Sequence, residues 1–168
     1  MTTQRKTRIA ITCQGGGSQT AFTAGVLRGL YSHGIQESHE IVALTGTSGG
    51  AVNAAIAWYG MLKNADGDKT PVQQRIADFW NELKASSPME QWLDQLNTFM
   101  IRASGAGHLP KIESSPSSQF SQILQESAAY LLPRKNYLDF KGLLESHINF
   151  KEVSGLIKAN SPALFMGA

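Results

Sequence analysis

Short β-branched apolar runs that end in glycine alternate along this chain with stretches in which apolar residues recur every three or four positions. Arg8 to Cys13 (RIAITC) is a run of the first kind and predicts a buried strand. From Ala21 onward Phe22, Val26, Leu27 and Leu30 return at helical spacing, and His33-Gly34 supplies a stop signal, so a helix is expected between them. Glu40 to Thr45 (EIVALT) predicts a second buried strand, Gly46 to Gly50 a turn, and Ala51 to Leu62 a helix of small residues.

Further on the pattern is helical. Thr70-Pro71 and Ser87-Pro88 each place a capping residue before a proline suited to the first turn, and they open TPVQQRIADFWNELK and SPMEQWLDQLNTFMI. Gly105 to Ser118 is rich in Gly, Ser and Pro and reads as a loop, followed by a helix over about 119–132. Asp139 to Glu145 and Phe150 to Lys158 predict two short helices, and PALFMGA begins a third strand. Strand, glycine turn and helix, repeated, is the rhythm of an α/β domain with a parallel sheet and right-handed crossovers. The two glycine loops should then meet at the carboxyl edge of the sheet, where such folds carry their ligand sites.

Composition narrows the class. With 168 residues, 42% hydrophobic and 17% charged, the chain suits one globular domain. A net charge of +2 without a dense basic block argues against a nucleic-acid partner. Cys13 is the single cysteine, so no internal disulfide is possible. The basic start MTTQRKTR is followed by an apolar run too short for a signal peptide, and no stretch approaches the roughly 18 apolar residues of a membrane span. The expected location is cytoplasmic or peripheral to a membrane.

Gly46-Thr47-Ser48-Gly49-Gly50 fits G-x-S-x-G, a strand-to-helix elbow that thrusts a serine oxygen outward. Its plainer reading is a serine capping a helix after a glycine turn. The earlier loop, Gly15-Gly16-Gly17-Ser18-Gln19-Thr20, leaves backbone N–H groups unobstructed for an anionic oxygen. One use is phosphate binding in a dinucleotide fold, but that fingerprint needs a glycine where Thr20 stands and an acid supplied by Glu37 or Glu40. The other is an oxyanion hole for a tetrahedral intermediate formed at Ser48, with donors and nucleophile presented from adjacent strand ends.

In their order and spacing, QGGGSQTAFTAGVLRGL and LTGTSGGAVNAA resemble the two motifs of the patatin-like phospholipases, densely over about residues 8–62 and more weakly through FWNEL and YLDFKGLLESHINFKEV to PALFMGA. The resemblance implies a three-layer α/β/α fold with a mainly parallel sheet and phospholipase A-type hydrolysis of lipid esters. It implies Ser48 as nucleophile, Gly15, Gly16 and Gly17 as oxyanion donors, and Gly46, Thr47, Gly49 and Gly50 as the elbow. That family's first motif usually reads D-G-G-G with a basic residue two places after the last glycine and then Gly. Here Gln14, Gln19 and Thr20 stand in those places, which spares backbone donation and removes a cation.

The family's base is an aspartate in a D-G-G or D-G-A turn well downstream, used without histidine. Asp66-Gly67 has the dipeptide but lies beyond the elbow helix, and Asp78 and Asp94 fall within predicted helices. Asp139 with His147 gives the Ser, Asp, His order of an α/β-hydrolase, although that fold places more strands before its elbow. His33, His39 and His108 lack metal-site spacing, no acidic cluster suits calcium, and no cofactor is expected.

Because Ala168 falls within an apolar strand, residues 1–168 are expected to form the N-terminal part of a single longer domain. That domain would hold an oxyanion loop at 14–20, an elbow at 46–50, a helical insertion at about 70–132, and its catalytic aspartate beyond Ala168. The alternative is a patatin-like binding protein without a base. Phe99, Met100 and Ile101, with the 105–118 loop, offer an apolar lip for acyl chains or a bilayer, or else belong to the core.

Overall fold

The computed structural model describes residues 6–16, 19–84 and 140–167, together with the helical positions Gln91, Gln95, Phe99 and Arg102. Strand β1 (Thr7–Cys13) leads through the glycine loop to α1 (Thr20–Ser32), a short α2 (Ile35–Ser38), β2 (His39–Thr47) and α3 (Gly49–Ala65). Helix α4 (Val72–Leu83) follows, and after residues outside the described set come α5 (Phe140–His147), α6 (Val153–Leu156) and β3 (Ala163–Gly167). The chain divides into two compact units, residues 1–82 with 144–168, and residues 83–143. The predicted helix opening at Ser87 is helical at its described positions, while the 105–118 loop and the 119–132 helix lie outside the described residues.

The three strands form one parallel sheet in the order β1-β2-β3. Right-handed crossovers between strands in consecutive order would set α1 and α3 on one face. Helix α3 packs against all three strands, and α1 packs against α3. Residues paired in register share a face, which puts Ile9, Ile11 and Cys13 with Ile41, Leu44 and Gly46 and with Leu164 and Met166. Leu44 is fully buried on that face. On the other face Ala10, Thr12 and Phe165 are exposed.

A bulge corrects the register. Ile9 pairs with Ile41 but Ala10 pairs with Ala43, so Val42 is the extra residue of β2. Ile41 and Leu44, three apart in sequence, therefore share the covered face.

Helix α3 is buried nearly all round, through Ile56 and Leu62 and through Ala51, Ala54, Ala55 and Ala57, whose small side chains let strands and neighbouring helices close in. Helix α1 ends where His33-Gly34 predicts, with Gly34 at φ +69°. Its buried stripe differs from expectation. Thr20, Ala24, Leu27 and Tyr31 face inward, whereas Phe22 and Val26 point to solvent. The small residues Thr20 and Ala24 permit a close α1 to α3 approach that Phe22 would obstruct.

A polar girdle ties the chain beyond α3. Asp68 accepts the Thr70 N–H at 2.7 Å and pairs with Arg75 at 2.9 Å, fixing the turn into α4. Glu152 accepts from the Tyr59 hydroxyl and pairs with Lys63 at 3.2 Å, holding the turn before α6 against α3. The Thr70 amide, the Thr70 hydroxyl and the Arg75 guanidinium together pull the Asp68 carboxyl down from 3.8 to about 2. A depressed carboxyl stabilises the fold above its unfolded pKa, and that contribution is lost as pH falls through the folded value. The thermal midpoint of Asp68→Asn should therefore lie below that of the parent at pH 7, and the gap should close between about pH 4 and pH 2. A gap that stays constant over that range contradicts the assignment.

Candidate active site

The motif at residues 46–50 forms where β2 ends and α3 begins. Ser48 is exposed and has φ 49° and ψ −130°, the one non-glycine residue with positive φ among those described. Such a conformation costs about 1–3 kcal/mol and persists only where the surroundings impose it. They do so here. The Ser48 N–H donates to the Gly167 carbonyl of β3 at 3.1 Å, and the Ser48 carbonyl accepts from Ala51 at 2.9 Å. Ser48 occupies the N-cap position of α3 yet its hydroxyl makes no capping hydrogen bond, so the plainer reading of this serine finds no support in the geometry.

The glycines exist for close approach. A Cβ on Gly46 would lie 2.7 Å from the Ala51 nitrogen, inside the first turn of the helix that the elbow opens. One on Gly50 would overlap the Cys13 carbonyl oxygen and lie 2.6 Å from that of Gln14. The first turn of α3 thus rests directly on the backbone at the end of β1. That contact carries the first glycine loop to the serine. A Cβ on Gly15 would sit 2.7 Å from the Thr47 carbonyl oxygen and 3.3 Å from Ser48 Cβ. Gly16 has φ +151°, a conformation for glycine, and its carbonyl accepts the Gln19 N–H at 3.1 Å. Gly17 lies outside the described residues, as does Ser18.

The two glycine motifs, separate in sequence, are therefore neighbours. The Gly49 N–H opens α3 without an intrahelical acceptor, and the helix adds its positive end beside Ser48. An oxygen on Ser48 that adds to a carbonyl would place the developing negative charge among backbone donors. Cys13, beneath this junction, is buried, and burial pushes its thiol up, away from thiolate chemistry.

No described acid meets Ser48. Asp66 follows the last residue of a 17-residue helix, which at about 1.5 Å per residue carries it some 25 Å from the serine, and it pairs with Lys158 at 3.2 Å. Asp78 accepts from Gln74 at 2.7 Å within α4. His147 pairs with Glu82 at 2.9 Å and packs edge-on against Phe79, while Asp94 and Asp139 lie outside the described residues. Glu40, one of the two acids that a dinucleotide site could use, pairs with Arg8 at 3.7 Å. No group of three or more metal-ligating side chains occurs among the described residues, and no described helix is long and apolar enough to cross a membrane.

Sequence reasoning passed over one polar residue in this region. Asn53 is fully buried, donates from Nδ2 to the Thr20 carbonyl at 2.8 Å and accepts from Trp80 Nε1 at 2.8 Å. An amide set among the alanines of residues 51–57 was the signal available.

The packing predicts opposite outcomes for two glycine-to-alanine changes. Gly50→Ala should destabilise the protein by about 1–3 kcal/mol or more, because backbone atoms cannot yield to the new methyl. Gly25→Ala, in mid-helix on α1 with nothing within 4 Å, should stabilise it by about 0.5–1 kcal/mol. Thermal or urea unfolding of the two variants checks both signs.

The family model for Patatin-like phospholipase matches residues 11–145. No curated protein and no solved structure matches the chain. The model starts within β1, takes in both glycine motifs and runs into α5; the chain belongs to the patatin-like phospholipase family, which at family level makes it a hydrolase of lipid esters with an α/β fold.

Proposed function

We propose that this chain carries the nucleophile and oxyanion donors of a phospholipase A-type lipid acyl hydrolase. The observation that supports this most is the seating of Gly15 against a strained, exposed Ser48. In this reading Ser48 Oγ adds to the ester carbonyl carbon as a base takes its proton. The carbonyl oxygen becomes an anion held by N–H groups of Gly15, Gly16 and Gly17. Collapse of the intermediate breaks the ester bond, the alcohol leaves with the proton, and water releases the fatty acid from Ser48 by the reverse sequence. Removing one donor of such a hole costs about 10²- to 10³-fold in rate.

The base in this proposal is an aspartate beyond Ala168, used directly as a Ser-Asp dyad. Its support is the engagement of the described carboxylates elsewhere: Asp66 with Lys158, Asp68 with Arg75, Glu82 with His147 and Glu152 with Lys63. Residues 1–168 would then be inactive alone, with both glycine motifs already assembled. Gln19 and Thr20, where the family has a basic residue and glycine, leave recognition of the anionic substrate to backbone amides.

The full-length protein should gain one adduct by intact mass after treatment with a fluorophosphonate probe, and Ser48→Ala should gain none. A folded, full-length protein that takes up no probe would favour a binding protein that keeps the fold without the chemistry. Phe99, at 65% exposure on its helix, suits contact with a lipid aggregate, while Met100 and Ile101 lie outside the described residues. Phe99→Glu should therefore reduce hydrolysis of micellar phospholipid by about tenfold, from the loss of roughly 1.4 kcal/mol of apolar contact, and spare a soluble short-chain ester. Equal loss on both substrates would place Phe99 in the fold instead.

A further inference from the structure

We infer that Asn53 is a positioning residue that holds the far end of the first glycine loop to the helix bearing Ser48. The inference rests on the proposed roles of Ser48 and the loop.

The loop between β1 and α1 has two ends, and one face of α3 meets both. At its near end Gly50 seats against the carbonyls of Cys13 and Gln14. At its far end Asn53 donates to the carbonyl of Thr20, the first residue of α1, at 2.8 Å. Gly50 and Asn53 are three residues apart, so they lie on the same side of α3. Each anchor is set by the helix that Ser48 precedes, and the Gly15 and Gly16 amides between them inherit that reference.

The chemistry of the residue fits the task. An indole N–H only donates and a backbone carbonyl only accepts, so the side chain between Trp80 and Thr20 must offer one acceptor and one donor. A carboxamide does this without a charge. Trp80 fixes the amide's rotation, and the orientation is unambiguous because the opposite one would face donor to donor. Asn53 is fully buried and Thr20 is 2% exposed, so water does not substitute for a lost partner. Without Asn53 the part-buried Trp80 indole N–H would lose its acceptor, and the Thr20 carbonyl would lose its tie to α3.

The test compares the full-length parent with Asn53→Leu, nearly the same shape with neither hydrogen bond, and with Trp80→Phe, which leaves the amide and removes its donor. Two readouts are taken. One is fluorophosphonate labelling, resolved into maximal rate and half-saturating concentration. The other is hydrogen exchange at the amides of Gly15, Gly16 and the first two turns of α1. Asn53→Leu should label about 10- to 100-fold more slowly at saturation, with half-saturation within about twofold of the parent, since the donors are misplaced and the serine is not. Exchange should rise at the named amides and stay unchanged in the last turns of α3. Trp80→Phe should move both readouts the same way by less, and it carries the test if Asn53→Leu does not fold.

Parental labelling and exchange in a folded variant overturn the inference. So does exchange raised uniformly through α3, which marks ordinary loss of stability. If the parent itself fails to label, the proposed function falls, and exchange alone judges the clamp: a rise confined to the named amides upholds it, and no rise rejects it.

Discussion

The backbone contact between the first turn of α3 and the end of β1 is the constraint on which this arrangement depends. Gly50 lies so close to the Cys13 and Gln14 carbonyls that no side chain fits between them. That single contact lets β2 end in a turn sharp enough to hold Ser48 at positive φ. It also brings the loop after β1 alongside the serine. Had the two segments been held apart by one methyl group, the glycine loop and the serine would belong to the same sheet edge without lying against each other.

Much of this was legible in the chain because its signals are local. Glycines at the ends of β-branched runs mark the loops, and the His33-Gly34 stop marks the end of α1. The resemblance to patatin-like phospholipases, drawn from the two glycine motifs, agrees with the family match over residues 11–145. What escaped was long-range. EIVALT reads as a plain buried run, and nothing in it announces that Val42 bulges so that Ile41 and Leu44 share a face. In α1 the largest apolar side chains pointed to one stripe, but close packing on an alanine-rich partner selected the smaller residues Thr20 and Ala24. Hydrophobicity ranks side chains by what they gain on burial, whereas a close helix contact ranks them by whether they fit.

The same distinction explains the polar residues. Asp66-Gly67 carries the family-like dipeptide but terminates a helix at the far end from Ser48, where it meets Lys158. Asp68, two places on, carries the stronger interactions, with Thr70 and Arg75. Asn53 looked like one more position in a small-residue helix. Its importance lies in two partners that neither its neighbours nor its spacing reveal.

The hydrogen bond from the Ser48 amide to Gly167 has a bearing on when the serine takes its shape. The five residues of the elbow are contiguous, and a ribosome delivers them early, yet the carbonyl that ties their central amide arrives only with β3. Non-local pairing of this kind forms late, because chain closure must precede it. A nascent chain that has reached α3 would possess the whole motif in writing while its serine remained free to relax into an unstrained conformation. The geometry that distinguishes this serine from its neighbours is thus conferred by the arrival of β3, and the order of synthesis itself delays the moment at which it can form.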